Sequence, residues 1–238
     1  MLIRVVDLET TGFEPPEAAV CEIGFCDLVR DDDAWLVGLP AHLLVNPGRP
    51  IPPETSAVHH IIDFDVREAP GFEEAARAVF YDEERYQALR VVLVAHNAKF
   101  ERQFLTPEVT GPVEWVCTYK CALRIWPEAP AHNNGTLRYW LRPQGLDRTR
   151  ADPAHRAGPD AYVTAHLLRE MLKEATLEEL VAWSAQPALL IRCNFGKHRG
   201  TPWSEVPSDY LRWCAGQKMD EDVAFTVEQE LARRARAR

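Results

Sequence analysis

The sequence predicts an α/β fold in which helices flank a central sheet, followed by a small module at the C-terminus. Strand patterns come first in the chain, and helix and strand patterns then alternate, which is the order typical of α/β domains. Residue 187 is a proline that opens a segment of different character, ending in an arginine-rich tail. We therefore predict a main domain over residues 1–186 and a small module over residues 187–238.

The first predicted strand covers residues 2–6, which are apolar apart from Arg4, and it ends at Asp7. Two further strands, over residues 18–28 and 35–45, flank an acidic turn at residues 30–33 and indicate a hairpin. A fourth strand and seven helices follow from apolar runs and helical spacing. The strand covers residues 91–95, and the helices cover residues 54–60, 71–80, 98–105, 117–126, 136–141, 160–172 and 176–183.

Composition and charge limit the possible functions. The chain has 238 residues, of which 46% are hydrophobic and 26% charged, so it can bury a core without disulfide bonds. Its formal net charge of -9 argues at first against a protein that coats nucleic acid. No apolar run approaches the ~20 residues that span a bilayer, and the N-terminus lacks the apolar run of a signal peptide. We expect a cytoplasmic protein with no membrane partner.

Asp7 and Glu9 are the most informative residues of the first segment. Side chains two positions apart on a strand point to the same face, so both carboxylates project from one side of the sheet. Two neighbouring like charges repel each other unless a cation or a proton neutralises them. The turn at residues 10–12 ends in glycine and lets the backbone approach a ligand. Taken alone, the pair is more typical of an acidic strand end in a solvated loop.

Two later segments add carboxylates and a histidine. Glu101 lies early in the helix that directly follows a buried strand, and Asp160 opens another helix. His155 precedes Asp160 by five residues and lies in a loop. A single aspartate at the start of a helix is usually a cap. Together, however, the three segments supply four carboxylates and one histidine.

The three segments resemble, in order, the three motifs of the DEDDh 3'-to-5' exonucleases, a DnaQ-like family. The matching stretches are Asp7-Leu8-Glu9-Thr10-Thr11-Gly12, His96-Asn97-Ala98-Lys99-Phe100 and His155-x4-Asp160. Residues 51–61 resemble another family segment, which lies between the first two motifs. Residues 195–200 resemble a Phe-Gly-Lys-x-Arg-Gly segment that some members carry after the nuclease domain.

The resemblance implies an RNase H-like fold with a mixed central sheet flanked by helices. It implies hydrolysis of terminal phosphodiester bonds of single-stranded or duplex DNA, releasing nucleoside 5'-monophosphates, in DNA repair or proofreading-type processing. It also implies two divalent cations, Mg2+ or Mn2+, held by Asp7, Glu9, Glu101 and Asp160. His155 would take the proton from the attacking water.

One position departs from the family pattern, because the second motif ordinarily has an aspartate where this sequence has Glu101. Glutamate keeps the charge and adds one methylene. The longer side chain suits a ligand that reaches the metal through water and strains one that coordinates directly. The alternative is that Glu101 is a solvated helix residue and the enzyme is impaired.

Six residues are candidates for substrate contact, as stacking surfaces, hydrogen-bond donors to the 3' end or pocket lining. They are Thr10, Thr11, Phe13, His59, Asn97 and Phe100. Phe13 and Phe100 are the stacking candidates. Phe100 fits a core position equally well, and a structural alternative also exists for Thr10, Thr11, His59 and Asn97.

The C-terminal module places Lys197, His198 and Arg199 between two glycines, with Trp203, Tyr210 and Trp213 further along. Basic groups on a glycine-framed turn beside aromatic residues suit nucleic-acid binding. The alternative is a turn and a helix that pack around their tryptophans.

Two other functions stay open. An RNA-trimming 3'-to-5' exoribonuclease of the same family fits the motifs, because nothing in the sequence shows whether a 2'-hydroxyl is tolerated. A weakly catalytic, nucleic-acid-binding accessory of a polymerase fits the glutamate at position 101 and the appended module. The expected partners are therefore DNA 3' ends, with RNA as the alternative, and the sequence does not reveal whether the protein has a protein partner.

Overall fold

A computed structural model describes residues 1–32, 34–81 and 90–236. Within these residues the sheet has six strands: β1 (Leu2–Thr10), β2 (Val20–Asp31), β3 (Ala34–Val37), β4 (Ala41–Leu44), β5 (Val91–Ala95) and β6 (Glu114–Cys117). The strand order is β3-β2-β1-β5-β6, and β4 also pairs with β2. β2 runs antiparallel to β1, β3 and β4, whereas β1, β5 and β6 are parallel. The predicted α/β fold with a mixed central sheet is confirmed.

Helices connect and cover the strands. They are α1 (Pro53–His59), α2 (Asp63–Val66), α3 (Phe72–Phe80), α4 (Glu101–Phe104), α5 (Pro107–Thr110), α6 (Thr118–Ile125), α7 (Asn134–Leu141), α8 (Ala157–Met171), α9 (Leu177–Ala185), α10 (Ser208–Ala215) and α11 (Glu221–Arg236). Two short 3-10 helices, Gly196–His198 and Trp203–Glu205, lie between α9 and α10. No helix of the described ranges has both the length and the apolar character to cross a membrane.

The side chains of β1 alternate between two apolar clusters, so both faces of the sheet are covered. Ile3 and Val5 belong to the cluster that includes the buried residues of α8. Val6 belongs to the cluster that includes the buried residues of α3. Asp7 and Glu9 continue the row of Ile3 and Val5, and they therefore emerge on the face covered by α8.

Three predicted strands have different limits in the structure, and the one predicted over residues 18–28 is β2, which covers Val20–Asp31. β1 continues to Thr10, beyond the predicted end at Asp7, because its pairing with β2 extends that far. The strand predicted over residues 35–45 is divided into β3 and β4, since Pro40 between them has no N–H to donate to the ladder. The predicted acidic turn includes residue 33, which lies outside the described residues.

Several elements were absent from the sequence prediction, among them the short helices α2 and α5, the strand β6 and the helix α11. β6 has four residues and passes directly into α6, so its strand pattern merged with the helix predicted over residues 117–126. α11 forms where the sequence indicates an arginine-rich tail. It buries Val223 and Val227, which are four residues apart and share one face of the helix.

The C-terminal residues have an apolar cluster of their own. It contains Cys193, Trp203, Val206, Leu211, Cys214, Val223 and Val227. The boundary predicted near residue 186 lies directly after α9. That this part is a separate module stays a prediction.

Candidate active site

Three of the predicted carboxylates converge in space. Asp7 and Glu9 project from β1, and Asp160 projects from the first turn of α8. One carboxylate oxygen from each lies within 4.8 Å of the others. All three residues are half-buried. This spacing allows the three carboxylates to share a cation through oxygen ligands.

Glu101, the fourth predicted carboxylate, is the first residue of α4. Its exposed fraction is only 3%. Among the described residues, its Oε2 atom has no hydrogen-bond partner. A buried carboxylate oxygen without a partner is costly, because nothing replaces the water it has lost. The burial disagrees with the alternative of a solvated helix residue.

All four carboxyl groups have raised pKa values, and burial is the largest cause in each case. Burial and the charge of Asp160 raise the pKa of Glu9 to about 8. Burial likewise raises the pKa of Glu101 to about 8. The pKa of Asp7 lies well above its ordinary value, because burial is reinforced by the charges of Asp160, Glu9 and Glu101. The cluster therefore needs protons or cations near neutral pH.

The donor set fits hard divalent cations. Every donor is a carboxylate oxygen, the ligand type that Mg2+ and Mn2+ prefer. Glu101 is not part of the group that converges within 4.8 Å, but its charge acts on Asp7. Its buried, unpartnered Oε2 is an atom whose lost hydration a cation would replace. Bound cations would also remove the repulsion that raises the carboxyl pKa values.

His155 lies in the exposed loop that precedes α8 and has a left-handed backbone, with φ of 60°. Its backbone N–H donates a 2.9 Å hydrogen bond to Oδ2 of Asp160. His155, Asp7 and Asp160 together line a cavity of about 530 Å3. His155 therefore lines the same cavity as two of the converging carboxylates.

α8 begins at Ala157, three residues before the start predicted at Asp160. The reason is that Pro159 lies in the first turn, where backbone N–H groups have no partner within the helix and a proline costs little. Asp160 is thus inside the helix and does not open it. Its carboxylate accepts a hydrogen bond from the preceding loop.

Thr10 and Thr11 use their hydroxyls to shape the turn after β1. Oγ1 of Thr10 donates a 2.6 Å hydrogen bond to the carbonyl of Gly12, and Oγ1 of Thr11 accepts one of 3.0 Å from the N–H of Ala19. Phe13, beyond this turn, is 85% exposed. Its exposed ring is available for stacking, and the roles of these residues in substrate binding stay predictions.

The other three substrate candidates lie in different environments. His59 is buried, and its Nδ1 accepts a 3.1 Å hydrogen bond from the N–H of Ile61. Asn97 is exposed and has a left-handed backbone, with φ of 69°. Phe100 is half-buried, with its ring centre 5.5 Å from that of Phe104. Their contacts with substrate stay predictions.

Glu22 is a candidate functional residue that the sequence reasoning missed. The β1–β2 pairing places it directly opposite Glu9. It has no exposed surface, and it forms an ion pair with Arg156 in the loop before α8. The available signal is a lone glutamate in the apolar run over residues 18–28, a pattern that does not distinguish a buried glutamate from a solvated one.

Two residues of α7 also reach the site and were missed. Arg138 lines the cavity and donates hydrogen bonds of 2.8 and 3.2 Å to the carboxylate of Asp152. Nδ2 of Asn134 donates a 3.2 Å hydrogen bond to the backbone carbonyl of Asp160. Neither residue lies near a motif in the sequence, and only the fold brings them to the site.

The sequence matches the exonuclease family over residues 5–168. Exodeoxyribonuclease 10 of Escherichia coli (strain K12) is 34% identical over 237 residues, covering 97% of this chain and 99% of the relative. DNA polymerase III subunit epsilon of Treponema pallidum (strain Nichols) is 33% identical over 178 residues, covering 70% of this chain and 74% of the relative.

Among solved structures, exonuclease X in complex with 5' overhanging duplex DNA has a TM-score of 0.59 and 30% sequence identity to this chain. The match covers 76% of this chain and 99% of that chain. The predicted RNase H-like arrangement is confirmed by this likeness, and the predicted family resemblance by the sequence match.

Proposed function

The chain belongs to the exonuclease family and is a 3'-to-5' exonuclease, and on that premise we propose that it hydrolyses the terminal phosphodiester bonds of DNA with two divalent cations. The convergence of Asp7, Glu9 and Asp160 is the observation that carries the proposal. Sequence identity of 34% to an exodeoxyribonuclease, over 97% of this chain, supports DNA as the substrate.

We assign the cations to the four carboxylates Asp7, Glu9, Glu101 and Asp160. When bound, Mg2+ or Mn2+ would stabilise negative charge on the attacking and leaving oxygens of the phosphodiester. Asp7 suits a ligand shared by both ions, because the charges of the other three carboxylates all act on it. Glu101 supplies the buried, unpartnered oxygen.

We assign the general base to His155. Imidazole is the side chain best suited to proton transfer near neutral pH, and here it would accept a proton from the attacking water. The hydrogen bond from its backbone to Asp160 ties the base to one of the carboxylates. This contact supports a defined position of the loop relative to Asp160.

The substrate end would occupy the cavity beside the carboxylates. Phe13 offers an exposed ring for the terminal base, and stacking on an aromatic ring is sequence-independent. The products would be nucleoside 5'-monophosphates, and we assign the enzyme to DNA repair or proofreading-type processing. RNA is the alternative substrate.

The test is degradation of 3'-labelled substrates by the purified protein. Single-stranded DNA, duplex DNA and RNA are compared with Mg2+, with Mn2+ and with EDTA. We expect metal-dependent release of 5'-monophosphates from DNA. His155→Asn should lower the rate at least about 100-fold, the usual contribution of a general base.

His60→Asn is the matched control, because His60 is also exposed and has φ of 62°. Asparagine tolerates this left-handed backbone at both positions, so only the loss of the catalytic imidazole should matter. Degradation of RNA alone would favour the exoribonuclease alternative. Binding of DNA without hydrolysis would favour the polymerase accessory.

A further inference from the structure

Glu22 is fully buried, and both of its carboxylate oxygens are occupied. Oε1 accepts hydrogen bonds of 2.6 Å from Nη2 of Arg156 and 2.6 Å from Nδ1 of His42. Oε2 accepts bonds of 3.0 Å from Nε of Arg156 and 2.9 Å from the N–H of Ala157. This carboxylate therefore joins β2 to the loop and first turn of α8.

Glu22 differs from the neighbouring carboxylates in its electrostatics. Burial would raise its pKa, but the hydrogen bonds from Arg156, Ala157 and His42 outweigh burial and leave the pKa below its ordinary value. The pKa of Glu9, directly opposite on β1, is raised instead. With two donors on each oxygen, Glu22 is saturated by protein contacts and has no oxygen left for a cation.

The start of α8 also contacts β2 at a second point, Gly24. Gly24 lies opposite Asp7 in the β1–β2 pairing. A Cβ at Gly24 would lie 2.0 Å from the carbonyl carbon of Ala157. Only glycine fits there, so β2 meets the start of α8 both at Gly24 and at Glu22.

We propose that Glu22 is a positioning residue that anchors the start of α8 to the sheet. Through Arg156 and Ala157 it fixes the His155 loop and the turn that carries Asp160 against the carboxylates of β1. The role rests on the proposed exonuclease function, because it concerns the geometry of that reaction.

The test is Glu22→Gln, which keeps the shape and removes the charge. We expect kcat on 3'-labelled single-stranded DNA to fall at least about 10-fold, the lower end for loss of a residue that orients a ligand. We expect KM to change less than about 3-fold, because Glu22 does not face the substrate. Hydrogen exchange at the Ala157 amide should accelerate, since its acceptor is weakened.

Asp27→Asn is the matched control. Asp27 accepts hydrogen bonds of 2.7 and 2.8 Å from Arg4 across the same two strands, but at the end remote from the site. The Asp27→Asn variant should have a kcat within about 2-fold of the wild-type value. Wild-type kcat in Glu22→Gln, or lost activity with unchanged Ala157 exchange, would overturn the positioning role. If the wild-type protein had no exonuclease activity, the proposed function would be wrong. Hydrogen exchange at the Ala157 amide would still test whether Glu22 anchors the start of α8.

An independent observation concerns residues 196–200, which we call the basic turn. Gly196 and Gly200 have left-handed backbones, with φ of 59° and 86°. The base of the turn is closed by a 2.7 Å hydrogen bond from the Gly200 N–H to the carbonyl of Cys193. A Cβ at Gly196 would lie 2.5 Å from the hydroxyl oxygen of Tyr210. The turn is therefore closed by a backbone hydrogen bond and packs closely against the ring of Tyr210.

Tyr210 in turn contacts an exposed ring. Tyr210 stacks on Trp213, with ring centres 5.2 Å apart and an interplanar angle of 29°. Nζ of Lys197 lies 5.3 Å from the centre of the Tyr210 ring. The Trp213 side chain is 51% exposed. A cation and an exposed indole thus share one aromatic platform.

The cations of the basic turn are not neutralised within the described part of the chain. Lys197 and Arg199 are exposed, and no ion pair of the described residues includes either one. Arg233 and Arg234, in contrast, both pair with Glu230. Unneutralised cations beside an exposed aromatic ring complement a phosphodiester chain with unpaired bases.

We infer that the basic turn and Trp213 form a second binding surface for single-stranded nucleic acid. Lys197 and Arg199 would contact phosphates, and Trp213 would stack on a base. The alternation of positive charge and aromatic surface is the pattern of sequence-independent single-strand binding. The surface extends the substrate contacts of the proposed exonuclease beyond its active site.

The test measures binding of a fluorescent 20-nucleotide DNA in EDTA over a range of salt concentrations. Lys197→Ala and Lys218→Ala remove the same charge from the same module, and both lysines are exposed. Lys197→Ala should weaken binding about 3- to 10-fold and lower the log–log salt slope by about 0.7, the value for one phosphate contact. Trp213→Leu should weaken binding at least about 5-fold, which is the loss of one stacked base.

Lys218→Ala should leave both affinity and slope close to wild type. If the two lysine variants weakened DNA binding equally, or if Lys197→Ala did not weaken it, the assignment of this binding surface would be wrong. This conclusion would hold whether or not the protein is a nuclease. If this surface bound a protein partner instead, Lys197→Ala would have no effect on DNA binding.

Discussion

The chemistry of a buried carboxylate depends on its neighbours, as is seen at Asp7, Glu9, Glu101 and Asp160. Burial raises the pKa of all four carboxyls, and the charge of at least one neighbouring carboxylate raises each of them further. Glu22 is as buried as any of them, yet its pKa is lowered because hydrogen-bond donors surround it. The four carboxylates are therefore suited to binding cations, whereas Glu22 is suited to holding protein segments together.

The glutamate at position 101 yields a prediction at this scale. Glu101→Ala should lower the exonuclease rate about 10- to 100-fold, because the cluster loses a proposed ligand. Glu101→Asp should retain activity within about 10-fold, since the charge stays and only one methylene is lost. The measurement is initial rate against Mn2+ concentration.

Glu108→Ala is the control for this prediction. Glu108 is an exposed carboxylate on the next helix, so its removal should leave the rate and the Mn2+ dependence unchanged. Full activity of Glu101→Ala would show that Glu101 is no ligand.

At the scale of elements, local patterns predicted β1, β5, α3 and α8, because each carries an apolar period over several residues. Short elements escaped prediction. β6 has only four residues and merges with α6. The start of α8 was missed by three residues because a proline in a first turn resembles a helix breaker.

The elements also decide which motifs meet. Parallel pairing places β5 beside β1, so the segment after β5 reaches the carboxylates of β1. α8 crosses the face of the sheet that Asp7 and Glu9 share, and Gly24 allows its close approach. The third motif therefore closes on the first, although about 150 residues separate Asp7 from Asp160 in the sequence.

For the whole molecule, the net charge of -9 is unevenly distributed. Residues 1–186 hold 18 Lys and Arg against 29 Asp and Glu, whereas residues 187–238 hold nine against seven. Four of the acidic residues belong to the proposed metal cluster, so bound cations would offset part of the negative balance. An acidic composition is thus compatible with a nucleic-acid substrate.

The cluster also predicts how global stability depends on pH. The raised folded-state pKa values mean that unfolding releases protons, so the stability of the metal-free protein is greatest when the carboxyls are protonated and is lost as pH rises through about 8. Between pH 7 and pH 8 we expect a loss on the order of 2 kcal/mol, or roughly 4 to 8 °C in Tm. Calorimetry in EDTA measures it.

Two further arms test the origin of this loss. Glu9→Gln should flatten the pH dependence, because one of the groups with a pKa near 8 no longer titrates. Mn2+ should stabilise the protein more at pH 8 than at pH 7, since cations bind the deprotonated carboxylates. A metal-free Tm that does not change between these pH values would contradict the raised pKa values.

The sequence by itself determined the α/β class, the three motifs and the reaction class they indicate, because strand and helix periods and closely spaced chemical groups are local properties. Only the tertiary structure decided that Glu22 anchors Arg156, 134 residues away, and that Glu101 is buried with an unpartnered oxygen. The physical reason is that burial and ion pairing depend on which distant segments pack together. No local pattern records the packing that makes one glutamate an anchor and another a proposed metal ligand.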